Sequence, residues 1–177
     1  CGACNTICAP DQTCTSDGCV ADPATQVSTG DEHACAMRAS GRVECWGSNT
    51  YGQLGTESIP VEGVPVTVPD LDGFVDIIAG GFHTCARSQT GSVSCWGQNS
   101  SGQLGDGTSE SHASPAAVPG LPAVSKVFAG RSSTCAVTDE VPSSVYCWGG
   151  NDEGQLGDGT QTGREVPTLI PALGGAA

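Results

Sequence analysis

Lysine and arginine are scarce in this chain: six in 177 residues, against 19 aspartates and glutamates, for a net charge of −13. The six are Arg38, Arg42, Arg87, Lys126, Arg131 and Arg164, and they stand singly. A nucleic-acid surface needs a stripe of such residues to displace counterions from phosphate. DNA, RNA and acidic lipid surfaces are therefore disfavoured, and no nucleic-acid partner is expected. A long apolar run is missing too, since no stretch approaches the roughly 20 residues of a membrane span. The chain opens at Cys1 without the charged and apolar regions of a leader, which fits a removed signal or a longer parent. Catalytic signatures are also lacking: no Gly-x-Ser-x-Gly, no phosphate loop and no paired carboxylates. Neither an enzymatic activity nor a cofactor is expected.

What the chain has is glycine (26), proline (11) and cysteine (11), with only 14% charged residues. That composition suits short strands joined by tight turns, and 37% apolar residues are enough for a core, so the expected class is all-β. Eleven cysteines point to disulfides and an oxidising compartment: extracellular, cell surface or periplasmic.

The strongest pattern is a repeat of fifty residues. Gly30-Asp-Glu-His-Ala-Cys35-Ala returns as Gly80-Gly-Phe-His-Thr-Cys85-Ala and Gly130-Arg-Ser-Ser-Thr-Cys135-Ala. Each continues into Cys-Trp-Gly at Cys45-Trp46, Cys95-Trp96 and Cys147-Trp148, then Asn49, Asn99 or Asn151, then Gly-Gln-Leu-Gly ending at Gly55, Gly105 and Gly157. Spacers carry Pro65 to Pro69, Pro115 to Pro119 and Pro167 to Pro171. A cysteine-rich module over 1–22 is expected before three repeats within 23–177, at about 27–74, 75–124 and 125–173. Val75 to Ala79 and Lys126 to Ala129 read as buried strands. The Cys-Ala and Val-x-Cys-Trp segments read as a hairpin. Pairing Cys35 with Cys45 sets Met37 opposite Val43 and leaves a three-residue loop, with Gly41 and Gly91 supplying its left-handed position. In that register the pairs Cys35–Cys45, Cys85–Cys95 and Cys135–Cys147 lie directly across the hairpin, within reach of a disulfide. Zinc is the poorer reading, because no matching histidine pair accompanies the two cysteines.

These four motifs, in the same order in three copies, resemble the regulator of chromosome condensation repeat family. The resemblance implies a seven-bladed β-propeller with four-stranded blades, of which this chain supplies three, all-β and preceded by a small disulfide-rich module. Ser133 departs from the family's histidine and Thr56 from its Asp-Gly-Thr. The cysteine pairs resemble a bacterial, secreted branch. The family's nuclear nucleotide-exchange activity is not carried over to so acidic a chain. Protein binding is what the resemblance implies: a non-enzymatic secreted or cell-surface interaction module, with a protein partner or other copies of the chain. A structural subunit of an extracellular assembly or filament is the alternative, and a propeller enzyme ranks third.

The remaining candidates divide into staples, packing and polar loops. Cys1, Cys4, Cys8, Cys14 and Cys19 hold a segment too small for a core of its own. Five is odd, which leaves a partner upstream, a lipid on Cys1 or an intermolecular bridge as readings for the leftover thiol. Trp46, Trp96, Trp148, Leu54, Leu104 and Leu156 occupy fixed repeat positions and are expected to pack blade against blade. His33 and His83 share one position with Ser133, which favours a hydrogen-bonding structural role over catalysis. Asp106 and Asp158 in Asp-Gly-Thr offer oxygens to calcium but lack the ligand count of a calcium loop. Asn99-Ser-Ser101 fits a glycosylation sequon, yet Asn49 and Asn151 hold the position without one, so a turn role is expected.

Overall fold

The computed structural model describes residues 7–9, 11–15, 18–57, 61–71 and 73–171. A two-stranded hairpin, β1 (Gln12–Thr15) and β2 (Gly18–Ala21), precedes three four-stranded antiparallel sheets. The first contains β3 (Ala24–Thr29), β4 (His33–Arg38), β5 (Val43–Ser48) and β6 (Val61–Thr67). The second contains β7 (Phe74–Ala79), β8 (His83–Ser88), β9 (Val93–Gly97) and β10 (His112–Ala117). The third contains β11 (Val124–Ala129), β12 (Ser133–Thr138), β13 (Val145–Gly149) and β14 (Arg164–Leu169). Each sheet is ordered as in sequence, a meander blade.

The hairpin register places Cys35 opposite Cys45 and Met37 opposite Val43, with the same pairing at Cys85–Cys95 and Cys135–Cys147. All three pairs are disulfide-bonded, at a Cα separation of 4.1 Å. That distance matches the narrow class of antiparallel pair, where side chains stand closest. Gly41 and Gly91 turn the first two hairpins at φ of 85° and 82°, a conformation that costs glycine nothing.

The core lies between sheets. Cys35, Met37, Val43, Cys45 and Leu54 of the first blade meet Ile77, Ala86 and Trp96 of the second. Cys85, Val93, Cys95 and Leu104 meet Val127, Ala136 and Trp148 in the same way. Cys147, Leu156 and Ile170 form a smaller cluster on the far side of the third blade. Each blade thus has two unlike faces, one contributing its disulfide and the other its tryptophan.

One sequence expectation needs correction. The strands leading into Gly80 and Gly130 begin earlier than Val75 and Lys126, and they are only half-buried, with Val75 46% and Phe128 55% exposed. They are the first strand of each sheet and so have a neighbour on one edge only. The proline-bearing spacers, in turn, contain the fourth strand of each blade. Pro65, Pro115 and Pro167 stand within β6, β10 and β14, at an outer edge where a missing N–H breaks no ladder bond. The ladder to each of these strands also shifts register.

At the N-terminus Cys14 sits opposite Cys19 in the β1–β2 register, yet Cys19 is bonded to Cys8, and Cys14 is also in a disulfide. Cys1 and Cys4 lie outside the described residues. Asp22 ties this segment to the first blade: only 1% exposed, it accepts the Ser40 N–H and hydroxyl at 2.8 Å each.

Candidate functional site: blade joints and loop rim

A polar relay crosses each joint beneath the apolar cluster. The Gln53 carbonyl accepts the Trp96 indole N–H at 3.0 Å and the Thr84 hydroxyl at 2.8 Å, both from the next blade. Since Thr84 gives its one proton to that carbonyl, its oxygen can only accept from His33 Nε2, 2.9 Å away. The neutral imidazole therefore carries its proton on Nε2. The second joint repeats the arrangement: Trp148 and Thr134 donate to the Gln103 carbonyl at 2.9 Å each, with His83 Nε2 2.9 Å from Thr134. Trp96, Trp148, Leu54, Leu104 and Leu156 are buried, whereas Trp46, with no blade before it among the described residues, is half-buried.

Burial holds both histidines neutral. It lowers His33 to about 4, partly offset by Asp31, and His83 to about 3, with the His33 charge adding to the effect. The imidazole also explains the glycine three residues earlier: a Cβ on Gly80 would collide with His83 Cε1. These histidines are joint residues. Among the described residues no group of three or more His, Cys, Asp or Glu side chains is placed to hold a metal ion.

The Asp-Gly-Thr loops are organised by asparagine. Around Asn99 Nδ2 lie Asp106 Oδ1, the Thr108 carbonyl and hydroxyl, and the Glu110 carbonyl, all at 3.1–3.2 Å. Its Oδ1 accepts the Leu104 N–H at 2.9 Å. Asn151 does the same with Asp158, Thr160, Thr162 and Leu156. The oxygens that suggested a cation converge on an amide nitrogen. Hydrogen bonds from Thr160 and then Arg164 hold the Asp158 carboxyl well below the usual range.

These loops share one end of the blades with the turns at 30–32, 80–82 and 130–132. Here the repeat dissolves. Asp31, Gly81 and Arg131 are equivalent, as are Glu32, Phe82 and Ser132, and Tyr51, Ser101 and Glu153. Side chains from different repeats meet: Tyr51 and Phe82 pack edge to face at 5.6 Å, and Arg131 pairs with Asp31 at 3.4 Å. Tyr51 remains 39% exposed and borders an open pocket of about 450 Å³ that reaches His112 and Glu57. Sequence reasoning missed this pair, because neither residue recurs.

Basic side chains are already engaged. Arg38 and Arg42 bind Glu44, Arg42 also reaches Asp22, Arg87 pairs with Asp76 and Arg164 with Asp158. With Arg131 on Asp31, Lys126 is the only lysine or arginine without an ion pair among the described residues.

Two profiles of the regulator of chromosome condensation (RCC1) repeat match the chain, one over residues 24–53, 74–103 and 124–155, the other over 40–87, 90–137 and 143–176. The chain belongs to this family. Among curated proteins, this RCC1-repeat chain is 61% identical over 31 residues to the E3 ubiquitin-protein ligase HERC2 of Homo sapiens and of Mus musculus, which is 18% of the chain and 1% of either ligase. Among solved structures it superposes on Prp20p from Saccharomyces cerevisiae with a TM-score of 0.75 at 24% identity, covering 85% of the chain and 39% of Prp20p. Human WBSCR16 gives 0.74 at 25% identity, over 84% of the chain and 38% of that protein. The chain thus spans about two fifths of the propellers it matches. The structure of Prp20p is described together with its binding to Gsp1p and histones, and it has also been solved with Kap60 bound.

Proposed function

We propose that the chain is a secreted or cell-surface protein-interaction module whose contact surface is the loop rim centred on Tyr51 and Phe82. The observation that carries this reading is the contrast within each repeat. Joint residues recur, while rim residues differ from blade to blade and still assemble into an aromatic pair flanked by Asp31 and Arg131. Rigid, partly exposed aromatics beside charge are what protein interfaces concentrate at their centres. The binding of protein partners by Prp20p supports the same use of the fold. Disulfides in every blade support an oxidising compartment. The engaged arginines fit a partner other than nucleic acid. The filament alternative, in which blades extend a neighbour's sheet, is opposed by the prolines in the outer strands.

The test is retention of proteins from the extracellular fraction on the immobilised chain. A Tyr51→Ala/Phe82→Ala variant should lose what the wild type retains, and Thr90→Ala at the opposite end should keep it. Equal retention by both variants would overturn the assignment of the rim.

A further inference from the structure

The open pocket at the rim is a cleft across the joint of the first two blades, about 450 Å³ in volume. One wall comes from the first blade's loop, with Tyr51 and Glu57, and the other from residues 111–113 at the start of the second blade's outer strand. The two walls are seated on each other at Gly52, where a Cβ would collide with Ala113. Tyr51 is held in place from within the chain. Its N–H donates to Oε1 of the buried Gln53 at 2.9 Å, and its ring packs edge to face with Phe82. Glu57 is exposed and makes no ion pair among the described residues. His112, which can carry positive charge, is already engaged: Nδ1 donates to the Ser114 carbonyl at 2.8 Å, and Nε2 faces Asp106 at 3.4 Å. The cleft thus offers an aromatic surface beside an uncompensated carboxylate. Glu110, next to Ser111, is exposed and also without an ion pair among the described residues.

We propose that this cleft receives an arginine side chain from a basic protein partner, an inference that rests on the rim as a protein-contact surface and names the chemistry it selects. A guanidinium is a flat cation that can lie over the tyrosine ring while its N–H groups donate to the Glu57 carboxylate. Its aliphatic stem covers the apolar wall at Ala113. A neutral side chain leaves the carboxylate unpaired, and an acidic one is repelled by it. The third blade shows the same pairing within the chain, where Arg164 holds Asp158 through Nε at 2.9 Å and Nη2 at 2.6 Å. In the other two repeats the positions of Tyr51 and Glu57 hold Ser101 and Gly107, then Glu153 and Gly159. Ring and acid therefore occur together in the first repeat alone, and one arginine is bound per chain.

The test is an NMR titration of the isotope-labelled full chain with a blocked peptide, acetyl-Gly-Arg-Gly-amide, and with the same peptide carrying citrulline, the neutral isostere of arginine. The arginine peptide should give saturable shifts at Tyr51, Gly52 and residues 111–113, with a Kd on the order of 1 mM. The citrulline peptide should bind about fivefold more weakly. Glu57→Gln should weaken the arginine peptide roughly fivefold, and Tyr51→Leu roughly threefold. Glu140→Gln removes the same charge from an exposed hairpin turn at the opposite end and should leave binding unchanged. Equal losses in Glu57→Gln and Glu140→Gln would reduce the effect to net charge and overturn the proposal. Equal binding of the two peptides, shifts confined to other loops, or no saturable binding by the folded wild type would overturn it as well. Retention of extracellular proteins by the rim without arginine binding would refute the cleft and leave the rim standing. Arginine binding in a chain whose rim retains no protein would support the cleft and refute the rim.

Discussion

The indole N–H of Trp96 donates to the carbonyl of Gln53, 3.0 Å away in the preceding blade, from a side chain with no exposed surface. A tryptophan placed so fills the joint and anchors it at one polar point. Truncating it should leave a large cavity and leave the carbonyl with Thr84 as its remaining side-chain donor. Trp96→Ala should therefore lower unfolding stability by about 3–5 kcal/mol. Trp46→Ala, at a face with no preceding blade among the described residues, should cost less than about 2 kcal/mol. Urea unfolding of the two variants side by side measures the difference, and equal losses would show that the joint is not where the indole acts.

The histidines make stability depend on pH in a definite direction. An unfolded histidine takes up a proton near pH 6.5, whereas His33 and His83 in the fold resist it down to about 4 and about 3. Above pH 6.5 neither state is protonated there and the fold keeps its full stability. Below it the unfolded chain binds protons that the folded chain refuses, so stability falls with pH by up to about 1.4 kcal/mol per unit for each histidine until the folded values are reached. Denaturant midpoints at pH 7, 5 and 4 should decline steadily. His83→Gln should start lower and decline less. A variant as steep as the wild type would remove His83 from the account.

Each hairpin is closed over a short, fully folded turn, so its disulfide should act mainly on the unfolded chain. Replacing Cys85 and Cys95 together by alanine should cost roughly 2–3 kcal/mol. Peptide mapping of the oxidised wild type without reduction should recover Cys35–Cys45, Cys85–Cys95 and Cys135–Cys147 as separate linked pairs, and links between different blades would contradict the register.

Duplex DNA should not bind measurably at physiological salt. The net charge of −13 repels phosphate, and the arginines that might oppose it are turned toward Asp22, Asp31, Glu44, Asp76 and Asp158. Micromolar, salt-sensitive binding in a fluorescence titration would contradict this.

The fold was legible wherever a side chain marks its own structural duty. Cysteines ten residues apart, a glycine in the loop between them and Met37 facing Val43 are enough to set a hairpin and its register. The outer strands escaped notice because Pro65, Pro115 and Pro167 break the usual strand rule, which does not bind an edge. Half of the joint relay was visible as recurring histidine and tryptophan. The other half was hidden, because the acceptor is a backbone carbonyl, which any residue supplies. Thr84 and Thr134 also looked variable beside Ala34. Tyr51 and Phe82 belong to different repeats and become neighbours only through the stacking of blades, a relation no periodicity can express.

Asn99 and Asn151 give the rim a further property. Loops rich in aspartate and carbonyl oxygens often depend on a bound cation for their shape, and their behaviour then follows the composition of the surrounding fluid. In this chain the positive end of an amide dipole sits among those oxygens, supplied by the polypeptide itself. Chelators, citrate or calcium-poor media should leave such a loop unchanged. The rim should present the same contour in all of them, and a partner that recognises it should do so without regard to divalent ions.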